Sequence, residues 1–210
     1  MRKEKVYKEI IKEALDLHVH VGPEVLPRKY TAATLVDSEK AKLGGVCLKS
    51  HFFATTPFIK SLNSVPKKFR LIGSITLNQA VGGLNPEAIT AAASLSDGPI
   101  VVWFPTISAQ NFLGQSEYEI RPEWVTGTNY RSRKSVEVKG IKITEGDRLT
   151  TEALEVLRTI KKVGAILATG HVSWQESRCL VVEAQRIGIK SIIVTHPIYQ
   201  LIEMPVAVQK

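Results

Sequence analysis

The chain has 210 residues, 44% of them hydrophobic and 23% charged, which is typical of a folded globular domain and excludes a wholly disordered protein. Lys and Arg number 28 against 20 Asp and Glu, so the net charge is +8. This charge favours an anionic small-molecule ligand, and no recognition motif supports specific nucleic-acid binding. With two cysteines, Cys47 and Cys179, neither a disulfide scaffold nor a cysteine zinc ribbon is available.

The N-terminal segment, residues 1–14, is charged and lacks the apolar core of a signal peptide. No stretch of the sequence is long and apolar enough to predict a membrane span. We therefore expect a cytoplasmic protein that does not contact a membrane.

Short apolar runs alternate with longer amphipathic stretches in the first half of the chain. The pattern predicts strand 14–21, helix 31–43, strand 46–51, helix 57–63, strand 70–78, helix 86–95 and strand 100–106. Asn85 followed by Pro86 is a typical helix start.

Residues 108–149 interrupt this alternation. Within them, residues 136–144 are predicted to form a strand, followed by a turn at 145–147. We interpret the segment as an irregular insertion, with a seventh barrel strand as the alternative. Its basic group, Arg131, Arg133 and Lys134, predicts a surface loop or an anion-binding lid.

The alternation resumes with helix 150–163, strand 165–171, helix 173–187 and strand 191–196. Ser173 and Glu176 have capping-box spacing. Strands separated by helices predict parallel β-α-β units, and the near-continuous apolar strands predict burial on both faces. We therefore expect one α/β domain over 1–210, either a (β/α) TIM-like barrel or a doubly wound sheet.

All five histidines fall at or just before the predicted C-terminal ends of strands: His18, His20, His51, His171 and His196. In parallel α/β folds this edge carries the active site. The placement therefore predicts that the histidines converge at one mouth of the fold.

The motif D-L-H-V-H places Asp16, His18 and His20 two residues apart, so their side chains are expected on one strand face. Two imidazoles on a rigid strand can chelate one metal ion. Asp16 would then orient a ligand from behind. The alternative is a pair of hydrogen-bonded core histidines.

His171 and His196 complete the predicted metal ligands, with loop-capping histidines as the alternative. His51 is interpreted as a ligand, a substrate contact or an isolated polar residue. Lys49 lies on the same predicted strand face as Cys47 and His51. A buried lysine needs a partner, and Asp16 is the expected one. The alternative is that Lys49 takes part in ligand binding or bridges metal ions. Asp16, Lys49 and His51 are the candidate catalytic residues.

Imidazole ligands favour zinc or a similar divalent ion, and one ion fits these donors better than two. Three or four histidines also leave a coordination position for water. Arg28 and Lys29, on the loop after the first strand, and Asn78, at the end of the third, are candidate substrate-binding residues.

The segments DLHVHVGPEVLPRKY, LKSHF, NQAVGGLNPEA, ILATGHVS and IVTHP resemble a group of small, uncharacterised proteins of the amidohydrolase superfamily. The resemblance covers nearly the whole chain. It implies a distorted (β/α)8 barrel with His18 and His20 ending strand one and His171 and His196 ending strands five and six. It also implies a metal-activated water that hydrolyses an amide, ester, lactone or related bond.

Two departures from that family keep alternatives open. The strand that should carry a metal-bridging lysine has Trp103 and Phe104, and the chain stops at Lys210, before the strand that supplies a catalytic Asp. A barrel that is incomplete at its C-terminus predicts a catalytically impaired metal- or ligand-binding protein, and its exposed edges predict a homo-oligomer. A phosphoesterase of the polymerase-and-histidinol-phosphatase type is the other alternative.

Overall fold

The computed structural model describes residues 2–24, 27–62, 65–115 and 139–210. The predicted basic group Arg131, Arg133 and Lys134 lies outside these residues, as does the start of the strand predicted at 136–144. No described helix has the length and apolarity needed to cross a membrane.

The elements follow one another in α/β order. The described helices are α1 Arg2–Glu13, α2 Ala32–Glu39, α3 Thr56–Ser61, α4 Pro86–Ser94, α5 Gln110–Gln115, α6 Thr151–Val163, α7 Trp174–Arg186 and α8 Val206–Gln209, with a 3₁₀ turn at Gln79–Val81. The described strands are β1 Leu15–His20, β2 Gly45–Lys49, β3 Arg70–Ile72, β4 Ser74–Thr76, β5 Val101–Trp103, β6 Thr144–Glu145, β7 Arg148–Leu149, β8 Ile166–Ala168 and β9 Ile192–Ile193.

The chain forms two parallel sheets. One has the order β1-β2-β3 and the other β4-β5-β8-β9, with every pairing parallel. Only Gly73 separates β3 from β4, so one extended run of the chain pairs with β2 in its first half and with β5 in its second. A Cβ at Gly73 would lie 2.4 Å from Cγ2 of Thr56, so glycine lets α3 approach the break between the sheets. The predicted α/β class with parallel strands is confirmed.

Two helices begin where the sequence places capping residues. Ser173 and Glu176 form the predicted capping box at α7, and Asn85 caps α4 by accepting from the backbone N–H of Ala88. Helix α6 buries Ala153, Val156, Leu157 and Ile160, which recur at helical spacing. These four side chains belong to the main hydrophobic core, together with Val102 and Leu167 from the strands.

Two features differ from the sequence expectations. Helix α1 was not predicted, because its residues are mostly charged and its apolar side chains, among them Ile10 and Ile11, are largely exposed. The strands are shorter than expected, so His51, His171 and His196 lie in the loops just after β2, β8 and β9.

Residues 139–149, the described C-terminal part of the predicted insertion, pack against the domain. Ile141 forms a parallel bridge with Ala109, and Ile143 is fully buried in the main core. The antiparallel β6 and β7 follow, joined through Gly146 at a φ of 58°. The predicted turn is therefore confirmed, and this end of the segment is attached to the core.

Candidate functional site

The structure brings all five histidines together, and we refer to them as the histidine cluster: His18, His20, His51, His171 and His196. Ring centroids lie 4.8 Å apart for His18 and His196 and 4.5 Å apart for His20 and His51. His171 lies 5.7 Å from His196 and 6.3 Å from His51. The cluster therefore joins the C-terminal ends of β1, β2, β8 and β9.

Strand β1 places its two histidines through an irregular register. The pairing with β2 shifts between Asp16 and Val19, so the simple alternation expected for D-L-H-V-H does not hold. The rings of His18 and His20 lie 5.3 Å apart in the cluster, whereas Asp16 is exposed. Its carboxylate accepts a hydrogen bond from the backbone N–H of His18 at 3.0 Å. Asp16 thus steadies the strand irregularity rather than sharing the inward face.

Lys49 is fully buried, and its partner is a histidine rather than the expected Asp16. Its Nζ lies 2.9 Å from Nε2 of His18 and 4.1 Å from the ring centroid of Trp103. Burial lowers the pKa of Lys49 to about 7. Trp103 also lies 4.5 Å from the His18 ring, so it forms one wall of the site.

His51 is held by a polar network at the strand ends. Its Nδ1 lies 2.8 Å from the hydroxyl of Thr106, which also accepts from Asn78 Nδ2 at 2.8 Å. Because a hydroxyl can accept two hydrogen bonds, Thr106 can accept from Nδ1–H and leave His51 Nε2 with a free lone pair.

Asn78 differs from the expected substrate contact. Its Nδ2 donates to the carbonyl of His51, and its Oδ1 accepts from the backbone N–H groups of Thr106 and Ser108. The amide is buried and engaged on both sides. Asn78 therefore braces the loop that carries His51.

The loop after β8 places His171 through a glycine. Gly170 has a φ of 72°, and a Cβ there would lie 2.3 Å from the carbonyl oxygen of Phe104. This close approach lets the backbone N–H of His171 donate to the carbonyl of Pro105 at 2.9 Å. The His171 ring then stacks on Phe112 with centroids 5.4 Å apart.

His196 has a φ of 45°, which is uncommon for a residue other than glycine. Its ring lies 5.9 Å from that of Tyr199, whose hydroxyl is buried without a hydrogen-bond partner among the described residues. Tyr199 was not singled out from the sequence, where a lone tyrosine after a strand carries no pattern.

Partial or full burial favours the neutral form of His18, His20, His51 and His171, whereas His196 is exposed. Desolvation, with the charge of Lys49 as a second cause, lowers the pKa of His18 to about 3 and that of His20 to about 2. The same two causes lower the pKa of His51, His171 and His196. Neutral imidazole is the form that binds a metal ion.

The imidazole nitrogens of the histidine cluster are suitable ligands for a metal ion, but their positions in the structure do not form a metal-binding geometry. Nδ1 of His20 and Nδ1 of His171 are buried and have no hydrogen-bond partner in the described part of the chain. Among the described residues, no three histidine, cysteine, aspartate or glutamate side chains are already arranged as a metal-binding group. Lys49 holds one of the nitrogens that a metal would need, Nε2 of His18.

A buried ion pair that the sequence analysis missed lies beside the cluster. The Glu24 side chain is 0% exposed, and its Oε1 accepts from the backbone N–H of His51 and from Ser50 Oγ. Its Oε2 accepts from Nε of Arg28. The candidate Lys29, by contrast, is exposed, with its Nζ 4.9 Å from the Tyr30 ring centroid. The only sequence signal for Glu24 was its position four residues before Arg28.

Comparison with known families assigns the chain. The profile of a family of unknown function, DUF6282, matches residues 13–210. The chain belongs to this family. No curated protein and no solved structure matches this DUF6282 member. The matched range contains the entire histidine cluster together with Glu24, Arg28 and Lys49.

Proposed function

We propose that this DUF6282 member is a metal-dependent hydrolase acting on an amide, ester, lactone or related bond of a small molecule. The convergence of five neutral imidazoles from four chain segments carries the proposal. His18, His20, His171 and His196 would hold one divalent ion, and imidazole donors favour zinc. The resemblance to the amidohydrolase superfamily, read from the same residues, gives the reaction class.

The residues of the chain have separate tasks in this proposal. A bound zinc ion supplies Lewis acidity and lowers the pKa of a water molecule. His51, fixed through Thr106, lies close enough to His20 to orient the substrate or exchange a proton. Trp103 and Lys49 close the inner wall and exclude bulk water, because both side chains are almost fully buried.

The same proposal includes a barrel-like closure of the parallel strands. The contact between His18 in β1 and His196 just after β9 supports it, since β1 and β9 are the edge strands farthest from the break between the two sheets. Such closure would place the histidine cluster at the C-terminal mouth of a (β/α) barrel.

Metal content and turnover test the proposal together. Protein purified without a histidine tag should contain about one zinc per chain by elemental analysis, and zinc should raise its melting temperature. His18→Ala and His171→Ala should lose both the metal and turnover on a panel of amides, esters and lactones. Arg186→Gln, a change in an exposed ion pair on α7, is the matched control. A wild-type protein that neither contains zinc nor gains stability from it would refute the proposal.

A second candidate function is ligand binding without catalysis, and the carboxylates favour it. Both oxygens of Glu24 already accept hydrogen bonds, and Asp16 is exposed. In the described residues, therefore, neither of these two carboxylates offers a free general base. Zinc binding with no turnover on the panel, in both wild type and His51→Ala, would support this candidate over the hydrolase.

A further inference from the structure

The loop after β1 folds back beside the histidine cluster. The backbone N–H of Gly22 donates to the carbonyl of Tyr30 at 2.7 Å, and Gly22 forms a parallel bridge with Thr31. This closed loop carries Glu24 and Arg28, four residues apart, which form an ion pair. The loop is therefore closed at its base, and the side chains of Glu24 and Arg28 are held against the domain.

Glu24 fixes the guanidinium of Arg28 relative to the cluster. One oxygen of its fully buried carboxylate accepts from the backbone N–H of His51 at 2.6 Å, and the other accepts from Nε of Arg28. A buried carboxylate is stable only with such donors. The Glu24 carboxylate therefore links Arg28 to the backbone of His51, a member of the histidine cluster.

Arg28 has a donor that pairs with none of the described residues. Its side chain is 15% exposed, and Nη2 is buried with no hydrogen-bond partner among the described residues. A buried charged donor without an acceptor is costly, so the position is suited to an acceptor brought by a ligand. The charge of Arg28 also lowers the pKa of both His20 and His51, which agrees with its closeness to the cluster.

The charge balance favours a monoanion. Arg28 and Glu24 offset each other, and Lys49 adds a buried amine on the cluster side. A phosphate dianion at Nη2 would lie near the carboxylate of Glu24 and be repelled by it about twice as strongly as a monoanion. A carboxylate carries one charge and matches the planar guanidinium.

We propose that Nη2 of Arg28 binds the carboxylate group of the substrate, so that the protein acts on small carboxylic acids with the bond to be cleaved at the histidine cluster. This substrate class rests on the proposed hydrolase function. Glu24 is a positioning residue that holds the guanidinium in place.

The test uses a panel of small aliphatic and aromatic carboxylates, each paired with its primary amide and its phosphonate analogue. Binding to the full chain is measured by ligand-observed NMR and thermal shift. At least one carboxylate should bind the wild type at least tenfold more tightly than its amide and its phosphonate. Arg28→Gln should weaken that binding at least tenfold.

Loss of Arg28 leaves Glu24 buried without its cation, so a second variant guards against misfolding. The double variant Glu24→Gln/Arg28→Gln replaces the ion pair with two neutral amides and should also lose carboxylate binding. Glu183→Gln/Arg186→Gln makes the same change in an exposed pair and should bind as the wild type does. Equal binding by both double variants, tighter binding of phosphonates, or no carboxylate bound by the wild type would overturn the proposal.

Zinc content of the same samples separates the two proposals. If Arg28→Gln has the zinc content and the carboxylate affinity of the wild type, Arg28 does not bind the substrate carboxylate, and the hydrolase proposal still stands. If the wild type takes up no zinc but binds a carboxylate that Arg28→Gln does not bind, carboxylate binding by Arg28 is supported and the hydrolase proposal is rejected.

Discussion

The amine nitrogen of Lys49 lies 2.9 Å from Nε2 of His18, so a lysine and a metal ion would compete for the same imidazole nitrogen. The charge of Lys49 also lowers the pKa of all five histidines. In its protonated form, Lys49 is a buried cation among neutral imidazoles and opposes a second cation by direct repulsion. Removing the charge of Lys49 should therefore raise the metal affinity of this protein.

The variant Lys49→Met should bind zinc at least about tenfold more tightly at pH 7, a gain of about 1.4 kcal/mol. Methionine keeps an unbranched apolar side chain in the buried position and removes the charge beside His18. Competition with a zinc-binding dye measures the affinity. Lys60→Met, at an exposed lysine paired with Asp97, should leave it unchanged. Weaker zinc binding by Lys49→Met would mean that Lys49 is itself a ligand.

Replacing Gly170 with alanine should lower the free energy of unfolding by about 2 kcal/mol or more. The new Cβ would meet the carbonyl oxygens of Phe104 at 2.3 Å and Pro105 at 2.5 Å, at a φ of 72°. Urea unfolding measures the loss. Gly98→Ala is the matched control, because a Cβ at Gly98 has nothing within 4 Å. A similar stability in the two variants would contradict this account of the loop.

Acid should destabilise the metal-free protein steeply below pH 6.5. The unfolded histidines have a pKa near 6.5, whereas the pKa of folded His18 is about 3 and that of folded His20 is about 2. Above pH 6.5 neither state binds these protons, so the histidines make no difference. As the pH falls from 6.5 towards 3, the unfolded state binds protons that the folded state does not bind, so the free energy of unfolding decreases.

Each buried histidine should contribute about 1.4 kcal/mol per pH unit within that window. Urea unfolding in the presence of a chelator at several pH values measures the slope. His20→Gln, which removes one such group, should reduce the slope by about that amount. A stability that stays flat between pH 6.5 and 5 would show that the cluster is hydrated and protonates freely.

The sequence predicted the main strands and helices because they carry a local signal, whereas the mostly charged helix α1 does not. Asn85, Ser173 and Glu176 mark helix starts, and the apolar positions of α6 repeat with helical spacing. Histidines after apolar runs also indicated which edge of the sheets to examine, since parallel strands end on one side.

The remaining parts of the site depend on relationships that no local pattern contains. The register shift in β1 turns Asp16 to solvent, and Lys49 pairs with a histidine 31 residues away. Glu24 and Tyr199 are single polar residues in loops, and their importance comes from neighbours brought by folding. Burial decides these roles, and burial follows from tertiary packing.

The left-handed backbone of His196 has an energetic consequence. At a φ of 45° a glycine would relax the chain, whereas a side chain there costs about 1 to 2 kcal/mol. The fold thus gives up part of its own stability to keep an imidazole at this position. Replacing His196 with glycine would relieve the backbone strain and would also remove one imidazole from the histidine cluster. The same substitution would therefore favour the stability of the fold and weaken the proposed metal site.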